Sequence, residues 1–136
     1  MSYRYINHTA DLGIEVRGKT LKELFINTAR AIFETQLKGE ILSTERLKIE
    51  ITSPSLEELI VEWCRELLYN FAVKGFIPKD YKIKITKDHH LAAHLEGDRF
   101  DSKRHKIKLE IKNPTYHNLS IKKLANEYIA TIIFDV

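Results

Sequence analysis

The sequence predicts an α+β domain of two layers: two helices packed on one face of a largely antiparallel β-sheet, in the order β-α-β-α followed by further strands. Three observations carry this expectation. Two segments step their apolar residues by three and four behind an N-terminal capping box. A longer series of segments alternates apolar with polar residues. No Gly/Ser/Pro-rich linker, repeat or low-complexity tract divides the 136 residues, so residues 1–136 are expected to form a single domain.

Residues 13–17, GIEVR, set Ile14 and Val16 between polar neighbours, which is strand spacing, and Gly18 ends the run. Thr20 with Glu23 three residues later forms the first capping box, and Leu21, Leu24, Phe25, Thr28, Ala29, Ile32 and Phe33 share one helical stripe. Leu47, Ile49 and Ile51 alternate with Lys48 and Glu50 in a strand that stops at Ser53 and Pro54. Ser55 with Glu58 repeats the capping box, and the stripe Leu56, Leu59, Ile60, Trp63, Cys64, Leu67, Leu68, Phe71 runs on to Gly75. Period two returns at Tyr81, Ile83, Ile85, then at Leu91, Ala93, Leu95, and again at Ile107, Leu109, Ile111, with GDRFDSKRH between the latter two as a turn. The closing YIATIIFDV, rich in Ile, Tyr and Phe, reads as a final strand.

One apolar face per strand and one stripe per helix are buried most economically when both helices lie on the same side of the sheet. Lys82, Lys84, Lys87, Lys106 and Lys108 then fall on the opposite side, where they solvate an open face or present a surface to RNA. At 43% apolar and 30% charged residues the chain fills a core and is not disordered. A formal charge of +3 is too small to announce a nucleic-acid binder. No apolar run approaches the roughly 20 residues of a membrane-spanning helix, and MSYRYINHTAD carries no basic-then-apolar leader, so a cytoplasmic protein without membrane contact is expected. One cysteine excludes an intrachain disulfide and a thiolate zinc cluster, and Cys64, within the second stripe, reads as inert core.

Three segments do not fit a protein that needs only to fold. NHTADLG at 7–13 packs His8, Thr9 and Asp11 ahead of a strand; IKNPTYH at 111–117 breaks a strand with Pro114 and gathers Lys112, Thr115, Tyr116 and His117; Asp135 stands at the end of an apolar strand. A carboxylate beside Ile132, Ile133 and Phe134 is costly to bury without a cation, a basic side chain or backbone amides. If the last strand lies beside the first, Asp135 and Asp11 face each other, and such hard oxygens, joined by those of Val136, suit calcium, magnesium or manganese. The plainer alternative is a turn-capping Asp11 and a solvated Asp135. His89, His90 and His94 read as solvated, because His90 and His94 on a strand stand about 13 Å apart.

Together with TLKELFINTARAIF and LEELIVEWCRELLYNF, the HTADLGIEVRG start, the IKNPTYH segment and the IIFDV end resemble the archease family, small proteins that assist the tRNA-splicing RNA ligase. The resemblance covers nearly the whole chain. Its motifs are short, and their joint order and spacing make them specific; Asn113-Pro114 departs from the small apolar residues usual in the family. The resemblance implies a non-catalytic accessory whose partner is the ligase catalytic subunit, with tRNA reached through the ligase complex. It would promote guanylylation, and so multiple turnover, of this GTP- and manganese-dependent ligase. It also implies a divalent cation, calcium ahead of magnesium or manganese, on Asp11, Asp135 and an oxygen of Val136, with His8, Thr9, Lys112, Thr115 and His117 on the contact surface. Two other classes compete: an RNA-binding module using the basic open sheet face, and a metal-dependent hydrolase built on Asp11, Asp135, His8 and His117.

Overall fold

The computed structural model describes residues 2–6 and 11–136. In chain order the elements are β1 (Tyr3–Ile6), β2 (Leu12–Gly18), α1 (Leu21–Gln36), β3 (Leu37–Lys38), β4 (Glu45–Thr52), α2 (Leu56–Lys74), β5 (Phe76–Ile85), β6 (His90–Arg99), β7 (Lys106–Ile107), β8 (Asn113–Pro114), β9 (Ser120–Leu124) and β10 (Glu127–Asp135). Both helices start at their capping residues. Thr20 Oγ1 accepts from the Glu23 N–H and Ser55 Oγ from the Glu58 N–H, each at 3.1 Å. At the far end of α2, Gly75 takes the left-handed conformation, φ 70°, and its N–H closes the helix on Phe71.

The α+β class, with two helices and antiparallel pairing, is what the structure shows. Its strands divide into two larger sheets and a ribbon in place of one sheet. One sheet runs β1-β2-β10, with β9 and β8 both on the far edge of β10; the second is β4-β6-β5; β3 pairs with β7. Helix α1 packs on β2 and β10 of the first sheet and on β5 of the second, and α2 on β8 and β9 of the first and on β4, β5 and β6 of the second. The reason lies in α1, which buries Asn27, Ala31, Thr35 and Gln36 beyond its predicted stripe and so needs cover on two sides. Its polar members stay bonded: Asn27 Nδ2 donates to the Arg17 carbonyl at 2.8 Å, and Thr35 Oγ1 meets Tyr5 Oη at 2.9 Å. At the centre, the fully buried Trp63 of α2 donates its indole N–H to the Phe25 carbonyl of α1 at 2.9 Å, tying the helices together.

The segment from Ile107 to Ile111 departs from its predicted strand. Only Lys106–Ile107 pairs, with β3, and Ile107 and Leu109 are exposed while Ile111 is buried. The chain here is held by the end of α1: the Lys108 N–H donates to the Gln36 carbonyl at 2.7 Å and the Ile111 N–H to Gln36 Oε1 at 3.0 Å. A glutamine anchor replaces the neighbouring strand that alternation anticipates.

Candidate functional site

Strand β10 ends between two partners. On one side β2 sets Ile14 opposite Ile132, Gly13 opposite Ile133 and Leu12 opposite Phe134. That register, continued by one residue, puts Asp11 at the position opposite Asp135. On the other side β8 sets Pro114 opposite Phe134 and Asn113 opposite Asp135. The described residues of the three unusual segments therefore converge on one end of one sheet.

Paired residues of an antiparallel ladder share a face, and faces alternate along each strand. Ile14, Val16, Ala130, Ile132 and Phe134 are buried in the core, so the positions of Asp11 and Asp135 fall on the opposite, outer face with Glu15 and Arg17. Directly opposed residues have Cβ atoms about 4.5–5.5 Å apart, close enough for two carboxylates to repel or to share a cation. Farther along this face the fold neutralises an acid with arginine. Glu15 accepts from Arg4 at 2.9 and 3.0 Å and from Arg17 at 3.2 Å, and the Arg4 hydrogen bonds hold its carboxyl below the usual range against the opposing effect of burial.

The IKNPTYH segment is fastened to β10 by its backbone. Lys112 donates its N–H to the Asp135 carbonyl at 2.9 Å. Pro114, buried against Phe134, has no N–H for the ladder, and Thr115 resumes the pairing: its N–H and its hydroxyl both donate to the Ile133 carbonyl, at 2.8 and 2.9 Å. Thr115 Oγ1 in turn accepts from the His117 N–H at 3.3 Å. Tyr116 turns outward to α2, donating to Glu58 Oε2 at 3.0 Å beneath the Arg65 guanidinium, which lies 5.6 Å from its ring centre. Thr115 is thus a structural pin, while Lys112, His117 and Val136 are exposed at the same end as Asp135. His8 and Thr9 lie outside the described residues.

Oxygen donors define this end. Among the described residues no group of three or more His, Cys, Asp or Glu side chains could hold a metal ion. A cation here would take the two aspartates with main-chain or terminal oxygens, a donor set that fits calcium, magnesium or manganese and not zinc.

Other candidates lie elsewhere. His90 meets Thr52 Oγ1 at 2.7 Å through Nδ1, and His94 stands four residues on along β6, opposite Lys48 and Lys82. Cys64 is fully buried and burial pushes its thiol far up, as expected of core. Lys82 and Lys84 project from the open face of the second sheet, whereas Lys106 belongs to the ribbon and Lys108 lies just beyond it, so the five lysines do not form one surface. Sequence reasoning missed Asp98, read as part of a turn but buried at the end of β6 with Arg104 and His105. Its signal was the neighbouring Gly97, whose backbone leaves no room for a side chain against the Ile77 carbonyl.

Comparison with known proteins agrees with the architecture. The Archease protein family matches over residues 3–136. The chain is 32% identical over 139 residues to the Protein archease of Methanosarcina barkeri, covering 98% of this chain and 95% of that one. To the Protein archease of Pyrococcus furiosus it is 33% identical over 139 residues, covering 98% of each. The solution structure of Methanobacterium thermoautotrophicum protein 1598 superposes with TM-score 0.82 at 28% identity over 99% of both chains. A crystal structure from Thermotoga maritima, described as an archease and possible chaperone, shares the fold at TM-score 0.67 and 21% identity over 96% of this chain and 94% of that one. Likeness over the whole length, in sequence and in fold, makes this chain a member of the archease family.

Proposed function

We propose that this protein is a non-catalytic accessory of the cytoplasmic tRNA-splicing RNA ligase, raising guanylylation of the ligase catalytic subunit and hence its multiple turnover. The observation that carries the reading is the register of β2 on β10, which pairs Leu12 with Phe134 and, continued by one residue, puts Asp11 at the position opposite Asp135. Held by Asp11, Asp135 and an oxygen of Val136, a divalent cation, calcium ahead of magnesium or manganese, would supply concentrated positive charge at an exposed sheet end. The chain's own residues do the rest. Pairing with Asn113 and the Lys112 N–H fixes the Asp135 backbone on its β8 side, the β2 ladder holds its neighbour Phe134, Thr115 pins the adjoining segment, and Lys112 and His117 offer donors to an anionic surface of the ligase. His8 and Thr9 complete this contact surface in the proposal.

An accessory favours a guanylylation-competent ligase only by binding that conformation more tightly, and a tenfold shift needs about 1.4 kcal/mol of differential affinity. The test is guanylylation of the cognate ligase with GTP and manganese, with this protein limiting, against Asp11→Ala and Asp135→Ala. Stimulation that both variants lose supports the reading; an active ligase that the wild type leaves unmoved refutes it.

A second reading rests on the cross-strand row Lys48, His94, Lys82 on the open face of the second sheet, opposite one another in the ladder. It makes the protein an RNA-binding module. Affinity for tRNA halves that falls steeply with salt in the absence of ligase would favour it.

A further inference from the structure

A groove of about 670 Å³ lies beside the C-terminus of α2. Phe71, Val73, Phe100, Ile107 and Ile111 supply much of its apolar lining, and Gln36 lines it as a polar but uncharged residue. Val73 is 61% exposed and Ile107 47%, and Tyr69 and Leu109 nearby are exposed as well, so an apolar strip stands open to solvent here. We propose that this groove receives an extended, acidic and apolar segment of a partner protein, added as a strand along Ile107.

The backbone provides the edge. Lys108 N–H bonds to the Gln36 carbonyl, and the Leu37 N–H is taken back into α1 by Phe33. In an antiparallel ladder bonded and unbonded pairs alternate, so Leu37 opposite Ile107 is an unbonded pair and the Ile107 N–H and C=O point away from β3. The Leu109 N–H shares the Gln36 carbonyl at 3.4 Å, so an added strand pairs through the Ile107 donor and acceptor and lays its alternate side chains against Ile107 and Leu109. Beyond Ile107, which pairs with Leu37, the alternation that predicts a strand over 107–111 finds no neighbouring strand within the described residues. At the floor, Gln36 is 1% exposed; its Oε1 is fixed by the Ile111 N–H, while its Nε2 has no acceptor among the described residues. A buried donor in that state is costly, and a carbonyl or carboxylate arriving over the floor would relieve it.

Charge selects the occupant. Lys74, Arg99 and Lys112 line the groove and Lys106 and Lys108 flank Ile107, against the single carboxylate of Glu110. A segment alternating apolar with acidic residues matches both the strip and its rim. Lys112 also donates its backbone N–H to Asp135, so the groove is continuous with the carboxylate end, and a protein docked there can extend into it. That the partner is the RNA ligase rests on the function proposed above; the groove's preference for such a segment does not.

Two arms separate these. The 15N-labelled protein is titrated with a synthetic hexapeptide of alternating Glu and Val, and with its Lys-for-Glu counterpart. Saturable shifts confined to Lys106–Glu110, Val73 and the Gln36 side-chain amide, at least tenfold weaker for the lysine peptide and lost in Ile107→Glu, are expected. Equal response to both peptides, shifts elsewhere, or shifts that grow with protein concentration alone and so report a second copy, would overturn the proposal. In the second arm the ligase catalytic subunit is bound to wild type, Ile107→Glu and Val73→Glu, with calcium affinity as a control for the carboxylate end. At least tenfold weaker complexes with unchanged calcium affinity are expected; ligase binding that ignores both substitutions removes the ligase as occupant. A ligase that binds no form refutes the accessory role, and the peptide arm still decides the groove.

Discussion

Arg104 reaches Asp98 with one guanidinium nitrogen 2.9 Å from each carboxylate oxygen, across a turn that closes over the end of β6. Asp98 also accepts from the Leu42 and Arg99 N–H groups at 2.9 and 2.8 Å. His105, buried beside it, accepts from the Asp101 N–H at Nδ1, which leaves its proton on Nε2 for the Glu40 carbonyl at 2.8 Å. One carboxylate thereby organises two loops, 40–44 and 99–105.

The first prediction concerns acid. Burial alone would raise the Asp98 carboxyl, and the Leu42, Arg104 and Arg99 donors outweigh it, so the group sits below its ordinary value. A depressed folded-state value means stability that is present above the unfolded value of about 3.9 and lost as pH falls through the folded one. Asp98→Asn should cost about 1–3 kcal/mol at pH 7, because an amide nitrogen then faces a donor. In urea titrations the gap between wild type and variant should close as pH drops from 4 toward 2. A gap independent of pH would show that the carboxylate charge contributes nothing.

This network also marks where the sequence stops being legible. Thr20 with Glu23 and Ser55 with Glu58 announced both helix starts, because a cap is a local event written in adjacent residues. The alternation at Leu47 to Ile51 and at Leu91 to Leu95 announced β4 and β6 for the same reason. Asp98 and Gln36 were invisible because their partners, Leu42 and Arg104 or Lys108 and Ile111, are fixed only once distant loops close. The division into two sheets was hidden too, since one buried face per strand does not say which helix face covers it. At the candidate site residues 11, 112–117 and 135 were readable as chemistry out of place; that they meet at one sheet end comes from the registers of β2 and β8 on β10.

Cation binding gives the second prediction. If Asp11, Asp135 and Val136 hold calcium, saturating calcium stabilises the native state by about 2.7 kcal/mol at a hundred times the dissociation constant. Thermal unfolding should shift upward with calcium, return on chelation, and show no shift in Asp135→Ala or Asp11→Ala. A calcium shift retained by both variants would place the cation elsewhere.

Two glycines make contrasting demands. An added Cβ at Gly75 meets nothing closer than 3.4 Å, so only its left-handed φ of 70° penalises alanine, by roughly 1–2 kcal/mol. At Gly97 a Cβ would lie 2.0 Å from the Ile77 carbonyl oxygen, within the β5–β6 ladder, and the strand itself must move. Gly97→Ala should therefore lose more stability than Gly75→Ala, at or above the upper end of the roughly 0.5–3 kcal/mol typical of point substitutions. Equal denaturation midpoints for the two variants would contradict this ordering.

Thr115 tests whether the contact surface needs its pin. Its hydroxyl donates to the Ile133 carbonyl and accepts from the His117 N–H, two bonds that valine at the same volume removes. Its backbone bond to Ile133 remains, so the ladder beside Asp135 persists while the turn toward His117 loosens. Thr115→Val should cost about 1 kcal/mol of stability, leave calcium affinity unchanged, and lower stimulation of ligase guanylylation by raising the protein concentration needed rather than the maximal rate. Thr115→Ser, which keeps both bonds, should restore the wild-type concentration dependence. If valine and serine behave alike, the hydroxyl is dispensable, and the placement of His117 plays no part in docking.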